Sequence, residues 1–481
     1  MKRPLAWMLA AVLGASLGCD NNVSSGDRVL VSKCTYETGI RQPQRYDVVV
    51  FKYPGNHGQG GPFEANTPKN YIKRLLGLPG ELIAIFFGRL FHFATPPGAP
   101  FPYQDHTDPN QSPKSLITKT RENDDLSRKL FEAGSFKILR KPPSVMMAMR
   151  RIVYDNDFQA KDMAEFPRWA PTKDCGWKGD KQLSFSHAGA MAEQVDWLRY
   201  QHLVRAEKGP PVGKRELITD FMGYNGVWLD GVQQFQGANW VGDLMLECHV
   251  DALKGEGEFW LELSKGIHRF QARWDLGSGV CTLFKTEYKE VNENGTTELK
   301  PMPRVELDSK PTKLRGPGTY QVRFANIDAR LTVWVDHELP FGDGKDYPPP
   351  EVKNGAEEKD LDEIDLQKRR GPTDNDLEPA SIGAKGAAVQ VGHVKLWRDT
   401  YYGLKAGESD VGVDITNPGN WDQFRKMNFK TLYVQPGHYL CLGDNSQASS
   451  DGRDWGLVPD RLMLGRALMV YYPFHRAGPI R

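Results

Sequence analysis

Two groups of residues far apart in the chain have the types that acid–base chemistry needs. The first is Lys73, set in the largely apolar run Tyr71-Ile72-Lys73-Arg74-Leu75-Leu76. An amine withdrawn from water beside a hydroxyl gives up its proton near neutral pH and can act as a general base. A lysine next to an arginine is, on burial statistics alone, more often a solvated strand edge. The second group lies at Gly443 to Arg453 (GDNSQASSDGR), where Asp444, Asn445, Ser449, Asp451 and Arg453 crowd together. Alone, such a stretch reads as a turn capped by its own Asx and Ser side chains. Near the start, Ser24 and Ser25 offer hydroxyls and Cys19 a thiol. Cys34, Cys175, Cys248, Cys281 and Cys441 are widely spaced and odd in number, so no metal set, cofactor motif or disulfide framework is readable from them. Separate buried thiols are the simpler reading.

The elements that must position these groups are strands. Arg28 to Ser32, Asp47 to Tyr53, Tyr71 to Leu76 and Glu81 to Phe86 are short apolar or alternating runs, punctuated by Pro54-Gly55 and Pro79-Gly80. The continuous VVVF within the second predicts a strand buried on both faces. Residues 94–135 turn polar and proline-rich and read as connection, with one short helix around Asp125 to Ala133. A longer strand-rich stretch, 136–402, follows. Leu244 to Val250, Glu258 to Leu263, His268 to Trp274, Val280 to Lys285, Tyr320 to Phe324, Ala329 to Asp336 and Val389 to Trp397 alternate like half-buried strands. Their number and turn spacing predict a β-sandwich. Tyr347 to Lys385 is charged, rich in Pro and Gly and nearly without aromatics, and reads as a mobile loop. From 403 to 481 the character of the first strands, 24–93, returns. The fold class is therefore mostly β, a β domain split by a long inserted sandwich.

With 481 residues the chain exceeds one ordinary core. Lys+Arg 62 against Asp+Glu 61 leaves a formal charge of +1, which gives no footprint for nucleic acid. Met1-Lys2-Arg3 followed by the apolar run Leu5 to Gly18 has the form of a secretory signal, shorter than the roughly 20 residues that span a bilayer. Ser16-Leu17-Gly18-Cys19 resembles the lipobox of bacterial lipoproteins, which implies a leader over 1–19, an acylated Cys19 and a membrane anchor.

Three blocks resemble bacterial type I signal peptidases, the serine/lysine endopeptidases that remove signal peptides. They are Gly26 to Lys33 (GDRVLVSK), Tyr46 to Pro54 (YDVVVFKYP) with Tyr71 to Glu81 (YIKRLLGLPGE), and Gly443 to Pro459 with Gly465-Arg466-Ala467. Order and spacing fit that family, which also inserts a variable β-rich domain before its last block. The resemblance implies Lys73 as general base, Ser449 as its hydrogen-bonding support, and Asp444, Asn445, Asp451 and Arg453 as buttresses, with Asp444 placed to pair with Arg74. It implies signal-peptide-bearing precursors as substrates, no cofactor, and a location at the outer face of the inner membrane. Ser446 stands where the family usually has arginine, and Gly452 where serine is common. The family's nucleophilic serine falls eight residues before the first block, and that count reaches Gly18. Gly18 to Ser25 (GCDNNVSS) lacks the motif's methionine and proline, which leaves Ser24 or Ser25 as the nucleophile candidates or leaves the chain an inactive relative. The inserted strands resemble the concanavalin/laminin-G type of sandwich. That implies a glycan or envelope-protein partner, with Trp228, Trp240, Trp260, Trp274, Trp334 and Trp397 as possible platforms or, more in keeping with alternating strands, core residues.

Overall fold

The structure, a computed structural model, describes residues 27–37, 41–53, 70–93, 122–159, 161–163, 165–180, 183–189, 193–204, 214–221, 227–229, 232–234, 237–293, 296–348 and 371–480. It is mostly β, with the chain's two ends paired around a long insertion.

The ends build one antiparallel sheet. Its strands run in the order Arg28–Ser32, Met463–Tyr472, Val48–Lys52, Asn70–Gly77, His438–Leu442, Val458–Pro459, with Gly478–Pro479 beside Met463–Tyr472. N-terminal and C-terminal strands interleave, so neither half can form the sheet alone. The VVVF run accounts for the centre, where Val49, Val50 and Phe51 are buried. A smaller sheet packs beside it in the order Lys430–Tyr433, Leu82–Phe86, Arg89–Phe93, Lys137–Ile138. The helix Asp125–Glu132, capped by the Asp124 side chain, lies against this sheet through the buried Phe131 and a Ser127 Oγ to Thr431 Oγ1 hydrogen bond of 2.6 Å.

Two eight-stranded antiparallel sheets form the insertion. In one, Leu244–Ala252 sits between Gly318–Ile327 and Ala388–Arg398; in the other, Glu258–Lys265 sits between His268–Asp275 and Ala380–Lys385. Period-two alternation turns Leu244, Leu246, Cys248 and Val250 inward against Phe259, Leu261 and Leu263, which makes the shared core of a sandwich. Trp240, Trp260, Trp274 and Trp334 are buried, so they serve as packing rather than as platforms. Cys248, Cys281 and Cys441 are buried free thiols, Cys175 is half-buried and Cys34 exposed.

Three of the expected boundaries need correction. Lys137–Ile138 pairs with Arg89–Phe93 in the small sheet, and the sandwich takes up the chain only at Arg151–Asp155, which pairs with Ala388–Arg398. The described end of the expected connection, 122–135, packs as part of the end-segment unit because its apolar helix face meets the small sheet. The expected mobile loop ends in structure: Asp374–Leu377 is a turn closed by a Thr373/Asp376 capping box, and Ala380–Lys385 is an interior strand. Averaging over a charged stretch hid the alternation of Ala380, Ile382 and Ala384, small apolar residues that fill the core. Positions 349–370 of that loop lie outside the described residues.

Candidate active site

The strand Asn70–Gly77 carries Lys73 at the middle of the large sheet, paired with Val49 on one side, while His438–Leu442 joins the strand on the other. The chain leaves His438–Leu442 at Gly443 and turns through the 443–453 block directly over Lys73. Lys73 Nζ lies 2.7 Å from Ser449 Oγ. Ser449 is buried and Lys73 half-buried. Burial holds the Lys73 amine below the ordinary lysine value, Asp451 opposes that and Arg453 reinforces it.

Two of the neighbouring carboxylates already have an arginine, while a third, Asp454, accepts from the Asp451 backbone amide at 3.3 Å. Arg74 grips Asp444 with Nε to Oδ1 at 2.8 Å and Nη2 to Oδ2 at 2.6 Å, and donates a further bond to the Tyr46 carbonyl at 2.9 Å. Arg453 grips Asp451 with Nε to Oδ1 at 2.9 Å and Nη2 to Oδ2 at 2.8 Å. Such two-point pairs fix direction as well as charge. Asp451 also accepts from the Gly443 and Arg453 backbone amides at 2.9 and 3.1 Å, which folds the block onto itself. Arg453 Nη1 reaches Ser446 Oγ at 2.9 Å, so the serine at the position usually arginine in related blocks is a partner of the buttress.

Two glycines are required by this packing. A Cβ at Gly443 would overlap Ser449 Oγ and sit 3.3 Å from Lys73 Nζ. A Cβ at Gly452 would meet Leu440 Cδ1 at 2.8 Å and the Cys441 carbonyl at 3.0 Å, which accounts for glycine at that departure. Buried Cys441 stands near Lys73 and Asp451, but burial pushes its thiol up, which makes it an inert neighbour.

The structure thus brings together Lys73, Arg74, Asp444, Ser449, Asp451 and Arg453. Asn445 lines a cavity together with Asp444. Ser24, Ser25 and Cys19 lie outside the described residues. Sequence reasoning missed Gly443 and Arg151, whose Nη2 holds the Asp444 carbonyl at 2.9 Å. The glycine was visible in the block, but Arg151 arrives from the first sandwich strand and belongs to no motif.

Among the described residues one cluster, Asp243, Asp328 and Asp399, has carboxylates close enough to share a metal ion. Protein cations already occupy it: Arg89 and Lys265 on Asp243, and Lys141 between Asp328 and Asp399.

Comparison with known proteins places the likeness at the two ends. The family described as signal peptidase, peptidase S26, matches residues 6–130 and 380–472, less than half of the chain. Signal peptidase I of Buchnera aphidicola subsp. Acyrthosiphon pisum is 35% identical over 57 residues, covering 12% of this chain and 18% of that protein. Probable signal peptidase I-2 of Synechocystis sp. is 44% identical over 45 residues, covering 9% and 21%. Signal peptidase IB of Staphylococcus aureus is 32% identical over 73 residues, covering 15% and 37%. The matches therefore span between 18% and 37% of these relatives' own length. Among solved structures, carbohydrate binding module CBM66 from Bacillus subtilis aligns over 48% of this chain and 95% of its own at 10% identity and a TM-score of 0.25. A Caenorhabditis elegans galectin aligns over 34% and 85% at 10% identity and a TM-score of 0.19. Superpositions that loose carry no functional argument.

Proposed function

With its two end segments belonging to the type I signal peptidase family, we propose that this chain is a membrane-associated serine endopeptidase that cleaves the signal peptides of exported proteins in the cell envelope. The observation that carries the reading is the 2.7 Å contact of Lys73 Nζ with Ser449 Oγ, in a setting that lowers the amine's proton affinity. In this role Lys73 takes the proton from the attacking hydroxyl, and Ser449 fixes the direction of the amine's lone pair. Asp444 and Asp451 hold the block in register through Arg74 and Arg453. The nucleophile is Ser24 or Ser25, and Cys19 carries the lipid. The substrate binds as an extended segment added to the large sheet.

An apolar edge supports a site at a membrane. Leu30 is 49% exposed and pairs with Met469, while Leu468, Tyr471 and Phe474 are exposed alongside. The pairing skips Leu468, and this irregularity breaks the alternation of the strand and leaves Leu468 and Met469 both exposed at the edge.

The test is cleavage of a signal-peptide substrate by purified mature protein in detergent or vesicles. Wild-type turnover that Lys73→Ala abolishes supports the reading, and Ser24→Ala and Ser25→Ala then assign the nucleophile. No turnover, with wild type and Lys73→Ala alike, overturns it. One observation favours a second reading: Gly18 to Ser25 lacks the family's nucleophile motif. On that reading the chain is an inactive lipoprotein whose sandwich binds an envelope protein or glycan. Intact mass measurement of the membrane-extracted protein shows whether it begins at an acylated Cys19.

A further inference from the structure

The outer face of one sandwich sheet carries two histidines on neighbouring strands. His249 lies on Leu244–Ala252, where Leu246, Cys248 and Val250 fill the core, so its own side chain points outward. His393 lies on Ala388–Arg398 and reaches the same face through an irregularity. Glu247 pairs with Lys395 and His249 with Gly392, so a single residue, Cys248, stands opposite two, His393 and Val394. Plain alternation after the outward Gly392 would send His393 into the core. Instead its φ of 51° places it in the left-handed region, Val394 takes the inward position and His393 is exposed. A bulge that strains one residue in order to re-aim its side chain is a feature of built sites.

The two imidazoles meet on this face with ring centres 4.9 Å apart and planes tilted by 59°, which is no parallel stack. At a zinc–nitrogen distance of about 2.0–2.1 Å a ring centre stands roughly 3.2 Å from the ion, and a tetrahedral angle sets two such centres roughly 5 Å apart, the spacing this pair has. One side of the His393 ring is already fixed, with Nδ1 2.9 Å from Asp157 Oδ2. An ionised carboxylate only accepts, so Nδ1 donates and the lone pair of the neutral ring is left at Nε2. Carboxylate–histidine pairs of this kind orient the ligands of metal sites. Lys395, the next cation along the strand, is held by Asp155 at 2.8 Å. Room is present as well: Gly392 stands directly across from His249, and among the described residues a Cβ added there would meet, apart from its chain neighbours, only the Leu183 carbonyl oxygen at 3.9 Å.

We propose that His249 and His393 bind one divalent transition-metal ion, with Zn²⁺ the ion whose geometry fits their spacing and Asp157 holding His393 in the ligating tautomer. Imidazole nitrogen suits zinc, copper and nickel, whereas magnesium and calcium take oxygen ligands. Two protein ligands leave the remaining positions to water or to a donor from another molecule, so the ion is exchangeable rather than part of the folded core. The site is distinct from the acid cluster at Asp243, Asp328 and Asp399, which Arg89, Lys265 and Lys141 already occupy. It is also independent of the endopeptidase reading, because none of its residues belongs to the Lys73 strand or to the 443–453 block.

The probes are Zn²⁺ for affinity and Cu²⁺ for ligand count, each added to the full purified chain. Calorimetry should show one Zn²⁺ bound by wild type that a variant carrying both His249→Ala and His393→Gly does not bind. Glycine is chosen at 393 because it removes the ring while relaxing the left-handed residue, and circular dichroism checks the fold of His249→Ala. Asp157→Ala keeps both ligands and should weaken Zn²⁺ about tenfold or more, the usual worth of a carboxylate behind a ligating histidine. Electron paramagnetic resonance of the Cu²⁺ form should report two imidazole nitrogens in wild type and one in each single histidine variant. Lys73→Ala should bind like wild type whichever way the cleavage assay falls. Equal zinc uptake by wild type and the double variant, an unchanged affinity in Asp157→Ala, or a nitrogen count that the single variants do not alter overturns the proposal.

Discussion

Two lysines of this protein sit among aspartates and are pushed in opposite directions. Lys73, half-buried, has its amine drawn below the ordinary lysine value, with burial as the leading cause. Lys141 is buried more deeply, and burial again pulls its amine down, yet the carboxylates of Asp328 and Asp399 push it well above that value. The difference lies in who holds the acids. Around Lys73, Asp444 belongs to Arg74 and Asp451 to Arg453, and the amine's own contact is a neutral hydroxyl. Around Lys141 no arginine intervenes, and the amine touches Asp328 at 2.7 Å and Asp399 at 2.8 Å. Burial by itself therefore does not make a base. An acid claimed by an arginine lends little charge to a neighbouring lysine, and an acid in direct contact lends most of its charge.

The larger consequence falls on the structural lysine. Lys141 and Arg89 come from the end segments, while Asp243, Lys265 and Asp328 come from the sandwich, so these charges close the seam between the two regions. Lys141→Met would strip the buried pair Asp328 and Asp399 of the cation that both touch, a change that costs about 3–5 kcal/mol. Chemical denaturation followed by circular dichroism should show it, with the seam the first part to open. A loss under about 1 kcal/mol would mean that the network is incidental to the seam.

Next in size is an effect confined to Lys73. Gly443→Ala sets a Cβ against Ser449 Oγ and must displace the serine from the amine. If Lys73 is a general base, cleavage should fall about a hundredfold or more, the usual worth of such a group. Gly452→Ala, which meets Leu440 and Cys441 instead, is the control for packing damage in the same block. Equal losses in both variants would remove Gly443 from any special relation to the base.

How much of this contrast was readable from the chain differs between its two sides. The strands around Lys73 announced themselves through VVVF and the Pro-Gly turns, and the short spacing of Asp444, Ser449 and Asp451 made the block visible as a unit. The pairing of Arg74 with Asp444 spans |i−j| = 370, and the family resemblance alone suggested it. Nothing suggested the seam. Arg89, Lys141, Asp243, Lys265, Asp328 and Asp399 share no motif, and only long-range closure of the fold assembles them. The strand Arg89–Phe93 was itself hidden, because its hairpin turns at Phe87-Gly88 with φ of 55° and 72°, where Asn-Gly or Asp-Gly is the usual signal. A bulky residue in the left-handed region gives sequence reasoning nothing to detect.

A smaller effect separates the two acids that share Lys141. Burial raises the Asp399 carboxyl above the ordinary aspartate value, and Lys141 offsets this only in part because Asp328 competes for the same amine. A carboxyl with a raised folded-state value keeps a proton that the unfolded chain releases. Stability from this group is therefore fully present below about pH 4 and declines as the pH rises from there toward neutrality, by at most about 1.4 kcal/mol per pH unit. Asp399→Asn should abolish that decline, so the variant gains on wild type as the pH rises through the window. Parallel stability curves for the two proteins would show that Asp399 ionises normally and that Lys141 neutralises both acids.

The least change is expected from Lys73, the proposed general base. Lys73→Met removes one hydrogen bond to Ser449, worth about 1 kcal/mol, and also removes an amine whose charged form burial already disfavours. Asp444 and Asp451 keep Arg74 and Arg453, so no buried acid is left unpaired. The two contributions oppose each other, and the net change in stability should stay within about 1 kcal/mol, in the range of substitutions that break no buried network. Set against Lys141→Met in the same denaturation experiment, this small value is what distinguishes a lysine kept for reactivity from one kept for structure. A loss approaching that of Lys141→Met would mean that Lys73 is charged and paired with Asp451 after all, which would take away its standing as a base.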